Sequence, residues 1–134
     1  MLLPLPVAKV RSMSLENHLA LAAMRTGNGN VNQMSRLLKA VYLAYFLREA
    51  TCDHCDMHAF RASEAALERS ATRAQMGHQW TLPEEDHREL AGILAVHDRQ
   101  LLSVSAHQFG AAWERLQRFI DSDARSPFPV PEVE

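Results

Sequence analysis

Apolar residues recur at steps of three and four along most of this chain, which is the spacing of one side of an α-helix. The first predicted helix covers about residues 15–26, where Leu15 and Leu19 lie on one apolar stripe. Ser14 is a suitable N-cap for this helix. The glycines and asparagines of residues 27–30 should end it, because they tolerate the backbone of a tight turn.

The second predicted helix, residues 31–50, is the most apolar segment of the chain. Asn30 is placed to cap it, and Gln33 follows at the spacing of a capping box. Between residues 37 and 47 only Lys39 is charged. A helix that is apolar nearly all round must be buried all round. We therefore expect this helix at the centre of a bundle, or covered on one side by a second subunit.

A third helix is predicted for residues 53–76, with Gly77 as its C-cap. It is rich in alanine, glutamate and arginine and has only a thin apolar side, so we expect it to be largely exposed to solvent.

Pro83 marks the start of the last predicted helical region, where apolar residues keep helical spacing as far as about residue 121. The region is either one helix or two joined near residues 103–105, where Ser105 could cap the second. One continuous helix would be about 57 Å long. That length exceeds the diameter of a domain of this size, so the sequence favours a break.

No segment alternates apolar and polar residues, so no strand is predicted. The fold class is all-α: a compact bundle of four or five helices, with the apolar second helix at its centre. Prolines gather at both ends of the chain. They predict an extended N-terminal segment (1–13), a single helical domain (14–124) and an extended C-terminal tail (125–134).

The composition is that of an ordinary globular domain, with 134 residues of which 47% are hydrophobic and 22% charged. The net charge of −2 excludes a polycation that would bind nucleic acid or anionic lipid without specificity. The first 50 residues carry six basic and two acidic residues, and the remainder is acidic. Nearly all basic residues are arginine, which suits interfaces better than lysine does.

The N-terminal residues are broken by prolines and lack the features of a signal peptide. The longest apolar run, residues 40–47, is too short to span a bilayer. We therefore expect a cytoplasmic protein with no membrane partner.

The densest group of metal-ligand residue types is the segment Cys52-Asp53-His54-Cys55-Asp56-Met57-His58. Thiolates and imidazoles are the ligands that zinc prefers, and on a helix His58 shares a side with both His54 and Cys55. The candidate ligands are Cys52, Cys55, His58 and His54. A closed zinc site needs four ligands, and no second motif of this kind follows, so we expect no cofactor and keep zinc as the alternative.

Polar and basic residues cluster around the turn between the first two helices, as in a helix-turn-helix protein. The residues that could contact DNA are Arg25, Asn32, Gln33, Arg36 and Lys39. A recognition helix needs a polar side along its whole length, however, and the second helix becomes apolar from Leu37. The favoured interpretation is the polar start of a buried helix.

Several aromatic residues at helical spacing could form either the core or an interface, since tyrosine and tryptophan are common in both. The interface candidates are Tyr42, Tyr45, Phe46 and Trp113. His97 falls on the apolar stripe of the fourth helical region, and we expect it to be a core histidine with a hydrogen-bond partner.

No nucleophile elbow, phosphate-binding loop, dinucleotide motif or zinc-protease motif is present, so the sequence predicts no enzyme. The leading hypothesis is a non-enzymatic protein–protein interaction module, an inhibitor, adaptor or regulator that forms a homodimer and contacts another macromolecule. Small helical bacterial proteins of this kind often come from mobile elements such as phages. The alternatives are a DNA-binding regulator that uses residues 27–36, and a zinc-binding sensor or enzyme at Cys52, Cys55 and His58.

Overall fold

A computed structural model describes residues 3–51 and 56–129 of the chain, and over these residues it contains five helices and no strand. The helices are α1 (Val7–Arg25), α2 (Val31–Thr51), α3 (Met57–Gln75), α4 (Glu84–Ser103) and α5 (Ala106–Ile120). The predicted all-α bundle is confirmed. The last helical region is divided into α4 and α5, as expected from the length of a single helix.

The apolar helix α2 lies at the centre of the bundle, as predicted, and packs against each of the other four helices. Its buried residues surround the helix axis: Leu37, Ala40, Val41, Tyr42, Leu43, Ala44, Tyr45 and Leu47. The chain therefore covers its own most apolar helix, and α2 needs no second subunit to be buried.

The prediction of an extended segment over residues 1–13 is wrong, because α1 begins at Val7. Pro6 stands at the N-cap position with a φ of −56°, and a proline there loses no helical hydrogen bond. No glycine or proline interrupts residues 7–13, and Val10 is buried in the core. Ser14 consequently lies inside the helix rather than at its cap.

Capping interactions explain where the helices begin. The Asn30 side chain accepts hydrogen bonds from the backbone N–H groups of Asn32 (2.8 Å) and Gln33 (3.2 Å), and Gln33 Oε1 accepts from Asn30 N–H (2.9 Å). Ser105 and Gln108 form the same reciprocal box at the start of α5. These boxes satisfy backbone donors that a helix start otherwise leaves unpaired.

Helix α3 begins at Met57, and Asp56 caps it by accepting a hydrogen bond from the backbone N–H of His58 at 2.9 Å. The predicted start at residue 53 lies outside the described residues. Gly77 follows the helix with a φ of 93°, the left-handed conformation expected of its C-terminal position.

The chain after α5 is not helical, and it returns to the bundle. Phe128 is buried against the rings of Tyr42, Tyr45 and Phe60, with ring centroids 4.9 to 6.0 Å apart. Arg61 donates a hydrogen bond to the carbonyl of Pro129 at 3.0 Å. The described part of the tail is therefore docked onto α2 and α3.

Within the described parts of the chain, no helix combines the length and the apolar character needed to cross a membrane.

Candidate functional site

A pocket of about 340 Å³ opens between α1, α2, α4 and α5. Its volume is at the small end of the range for ligand sites. It is lined by Met13, Asn17, Asn32, Ser35, Arg36, Lys39, Ala40, Leu43, His97, Trp113 and Leu116. Four helices contribute to one cavity, so its shape depends on the packing of the whole bundle.

The fully buried side of the pocket carries His97, whose ring is held by a hydrogen-bond chain across two helices. Gln100 Nε2 donates to the backbone carbonyl of Ala44 in α2 at 2.9 Å. The amide of Gln100 is thereby oriented with Oε1 toward His97 Nδ1, which lies 3.1 Å away. Since Oε1 can only accept, Nδ1 carries the proton. The prediction of a core histidine with a hydrogen-bond partner is confirmed.

The second ring nitrogen of His97, Nε2, is buried and has no hydrogen-bond partner among the described residues. Burial lowers the pKa of His97, and the hydrogen bond to Gln100 and the charge of Asp98 oppose this only in part. The ring is therefore neutral at physiological pH, and with the proton on Nδ1 its Nε2 is an acceptor without a donor.

The exposed rim of the pocket is cationic. Lys39 and Arg36 both line it, and none of the lining residues is a carboxylate. Arg36 Nη1 lies 2.8 Å from Glu16 Oε2, which sits outside the lining on α1. The ion pairs found among the described residues do not include Lys39. Of the two cations at the rim, Arg36 is therefore balanced by a carboxylate, and Lys39 has no ion-pair partner among the described residues.

The rest of the lining combines the polar side chains of Asn17, Asn32 and Ser35 with apolar surface. Asn17 exposes only 4% of its surface and faces the pocket from α1. Leu43 and Leu116 are buried in the wall, and Trp113 is 42% exposed. Six of the eleven lining residues are polar or charged, so the lining is more polar than that of a typical small-molecule site.

The neutral buried ring makes stability depend on pH. Because the folded-state pKa of His97 is lowered, the unfolded chain binds a proton that the folded chain does not once the pH falls below about 6.5. We expect the free energy of unfolding to be unaffected by His97 above that pH. It should decrease as the pH falls from there toward the folded-state pKa of His97. The free energy of unfolding then decreases by up to about 1.4 kcal/mol per pH unit. Chemical denaturation between pH 5 and pH 8 measures it.

The matched comparison is His97→Asn against His78→Asn. The first substitution should flatten this part of the pH profile, and the second should leave it unchanged because His78 is exposed. An identical profile for wild type and His97→Asn would contradict the assignment of a buried neutral ring.

The structure brings together three of the five residues proposed to contact DNA, since Asn32, Arg36 and Lys39 all line the pocket. The other two lie apart from it. Arg25 Nη2 is 3.4 Å from Glu84 Oε2, and Gln33 belongs to the capping box of α2. Asn32, Arg36 and Lys39 are exposed at the mouth of this pocket, and Gln33 lies with Asn32 and Arg36 in an adjacent groove.

The proposed interface residues have different surroundings. Tyr42 and Tyr45 are buried, and Tyr42 donates a hydrogen bond to Glu64 at 2.6 Å. Burial, and then the nearby Glu64, raise the pKa of Tyr42 well above its usual range. Phe46 is half-buried beneath the guanidinium of Arg115, and Trp113 lines the pocket. These four side chains form no continuous exposed face.

Three of the proposed zinc ligands, Cys52, His54 and Cys55, lie outside the described residues. The fourth, His58, is exposed in the first turn of α3. Within residues 3–51 and 56–129, no three histidine, cysteine, aspartate or glutamate side chains are grouped as metal ligands.

The outward face of α1 is a second candidate site, which the sequence analysis did not identify. Leu15 and Leu19, the apolar stripe of the predicted first helix, are each 59% exposed. They belong to a row of exposed uncharged residues at alternating steps of four and three, which we call the α1 seam: Ala8, Ser12, Leu15, Leu19 and Ala22. The opposite side of the helix, with Val10, Asn17 and Met24, faces the core.

A groove between α1 and α4 runs beside the α1 seam. Leu15 and Leu102 lie on its two sides, and Leu102 is also strongly exposed. His18 Nε2 and Asp98 Oδ2 join the two helices across it at 2.8 Å. The exposed apolar surface therefore extends from the α1 seam to the end of α4.

No protein-family model, curated protein or solved structure matches this chain.

Proposed function

We propose that this protein is a non-enzymatic interaction module that works as a cytoplasmic homodimer, with the α1 seam as its dimer surface. The observation that carries the proposal is the exposure of Leu15 and Leu19 in an uncharged row with heptad spacing. Two helices with such rows bury them by packing side by side. In an isolated chain both leucines would remain exposed to water. Monomeric proteins rarely expose an apolar row of this kind, so the row indicates an interaction surface.

The occupant of the α1 seam is a second copy of the chain, because the charges that flank the seam complement themselves. With Leu15 at heptad position d and Leu19 at position a, Arg11 takes position g and Glu16 takes position e. In a parallel pair, a g residue faces the e residue about five positions further along the partner helix. Arg11 of one subunit then faces Glu16 of the partner subunit, and symmetry repeats the pair.

The antiparallel arrangement is disfavoured by the same residues. There, e positions face e positions and g positions face g positions, so Glu16 would meet Glu16 and Arg11 would meet Arg25. Like charges in such positions destabilise the pair. We therefore propose a parallel dimer with its twofold axis along α1 and a contact about 21 Å long, the length of the α1 seam.

The dimer is tested by native mass spectrometry and sedimentation equilibrium on wild type and on the variant Leu15→Glu/Leu19→Glu. We expect a wild-type dimer, with a dissociation constant that rises about tenfold or more in the variant because four carboxylates enter the apolar contact. Both leucines are exposed, so the helix content of the monomer should not change.

Val7→Glu is the matched control, since Val7 is an exposed apolar residue of the same helix outside the α1 seam. A charge-swap series tests the orientation: Arg11→Glu should weaken the dimer, and Arg11→Glu/Glu16→Arg should recover part of it. A strictly monomeric wild-type protein would refute the proposal.

The same spectra bear on the zinc alternative. A bound zinc ion per chain or per dimer would favour the sensor or enzyme at Cys52, Cys55 and His58.

The DNA alternative draws less support from the charges around its turn, because Arg25 and Arg36 each have a carboxylate partner within the chain. Contact with a further macromolecule, as an inhibitor, adaptor or regulator encoded by a bacterial mobile element, remains part of the proposal.

A further inference from the structure

We infer that the cleft which holds the C-terminal tail is a peptide-binding site, and that its partner is a protein segment with a phenylalanine between two prolines. The rings of Tyr42, Tyr45 and Phe60 form this cleft, which we call the tail cleft, and Phe128 of the same chain fills it. The tail is thus an internal copy of the ligand, and it blocks the site until a partner displaces it. The inference rests on the proposed function in that it names the further macromolecule, but the tail cleft shares no residue with the α1 seam.

The tail is held at few points, so another segment can replace it. Phe128 is the only buried residue among residues 121–129, and residues 121–125 are all exposed. Among the described residues, one hydrogen bond joins residues 123–129 to the helices, from Arg61 to the carbonyl of Pro129 at 3.0 Å. Segments with so few buried contacts open locally at a lower free energy than the core. We therefore expect the tail to leave the cleft while the bundle stays folded.

The rings of the tail cleft define the side chain that a partner must carry. Tyr42 and Tyr45 stand at 79° and 67° to the ring of Phe128, with ring centroids 5.4 and 4.9 Å away. This edge-to-face arrangement favours an aromatic side chain over an aliphatic one of similar size. The hydroxyl of Tyr42 already donates to Glu64 at 2.6 Å, so it needs no polar group on the ligand.

The backbone of the tail shows why prolines flank the phenylalanine. Pro127 and Pro129 have no N–H that would be left without an acceptor against the helices. The one N–H between them, that of Phe128, donates to Ser126 Oγ at 3.2 Å within the tail. Prolines also restrict the free segment, which then loses less conformational entropy when it binds. Aromatic-lined grooves bind proline-rich segments of other proteins in a related way.

The connection from α5 places the tail of the same chain in the cleft, rather than the tail of a second copy. Phe119 in the last turn of α5 packs on Tyr42 with 5.1 Å between ring centroids, and Phe128 packs on the same ring. Only residues 121–127 separate α5 from Phe128. Such a short connection gives the tail an effective concentration on the order of millimolar. A second copy competes poorly with it, so the ligand in trans is a segment of a different protein that binds more tightly than the tail.

The test is isothermal calorimetry with a synthetic peptide of residues 122–130 and the full-length variant Phe128→Ala, whose own tail cannot fill the cleft. We expect the peptide to bind this variant about tenfold or more tightly than wild type, because the wild-type tail competes for the same site. The same peptide with alanine in place of its phenylalanine is the matched control and should bind neither chain. Equal binding of the two peptides, or no binding to the variant at millimolar concentration, would overturn the proposal.

Phe128→Leu serves if the alanine variant does not fold. Its leucine keeps the cleft filled but loses the aromatic edge contacts, so the peptide displaces it more easily than it displaces phenylalanine. The peptide should therefore bind this variant more tightly than wild type. Equal affinities for Phe128→Leu and wild type would count against displacement of the tail.

Arg61→Gln, made in the Phe128→Ala chain, tests the contact with the peptide backbone and should weaken the peptide about tenfold. Arg99→Gln in the same chain is the matched control, since Arg99 is exposed on α4. Native mass spectra recorded without peptide report the dimer separately. A dimer that binds no peptide would overturn this inference alone, and a monomer that binds the peptide would overturn the homodimer alone.

Discussion

Replacing Phe128 by alanine is expected to lower the free energy of unfolding by about 3 kcal/mol, the low end of the cost of removing a buried phenylalanine. The ring is buried and lies edge-on to Tyr42 and Tyr45 at 5.4 and 4.9 Å between ring centroids. Its loss removes this apolar contact and exposes the neighbouring rings of the aromatic cluster to water. Urea denaturation followed by circular dichroism measures the change.

Phe128→Leu is the control for this prediction. It keeps an apolar side chain of similar reach and loses mainly the aromatic edge contacts, so its cost should stay below about 1.5 kcal/mol. An alanine variant as stable as wild type would mean that the tail does not pack on α2 in solution. In that case Tyr42 and Tyr45 would be exposed, and the sequence-based hypothesis that they form an interface would gain support.

The second large effect is expected at Gln100. Gln100→Leu keeps the size of the side chain and removes the hydrogen bond to the Ala44 carbonyl of α2 and the one to His97 Nδ1 on the same helix. The N–H of a buried imidazole is left without an acceptor, at a cost of about 2–3 kcal/mol. The ring is also freed to place its proton on either nitrogen. Denaturation gives the stability, and nitrogen NMR shifts of His97 report where the proton resides.

Gln75→Leu is the matched control, because Gln75 is exposed at the end of α3 and should change stability by less than about 0.5 kcal/mol. If Gln100→Leu keeps the wild-type stability and the proton on Nδ1, the hydrogen-bond chain does not fix the ring. Nε2 could then carry the proton and would not be an acceptor.

Local signals in the sequence were sufficient for most helix ends. Asn30 with Gln33 and Ser105 with Gln108 cap α2 and α5 through contacts between residues three apart, which a reader of the sequence can recognise. The sequence predicts too late a start for α1, because Ser14 is a good cap by residue type. The start of α1 is set instead by the apolar packing of Val10, which forms only when α1 packs against the rest of the bundle.

The environment of each site residue depends on contacts between residues that are far apart in the sequence. The spacing of apolar residues carries no information about such contacts. His97 could be assigned to the core, but its neutral state follows from complete burial in the folded bundle. The orientation of its ring follows from Gln100, whose amide binds Ala44, 56 residues away. Asn17 could have been found from the spacing of Val10, Asn17 and Met24 if the helix had been extended to Val7. The α1 seam was harder to recognise, because an apolar stripe ordinarily faces the core and this one faces water.

Glu16 joins the two surfaces that this fold presents. Its carboxylate binds Arg36 on the rim of the pocket, and in the proposed dimer it also faces Arg11 of the partner subunit. In such a dimer the guanidinium of Arg36, which lies on α2, would hold the carboxylate that pairs across the subunits. Self-association through α1 would then depend on a residue of the central helix that lies outside the α1 seam.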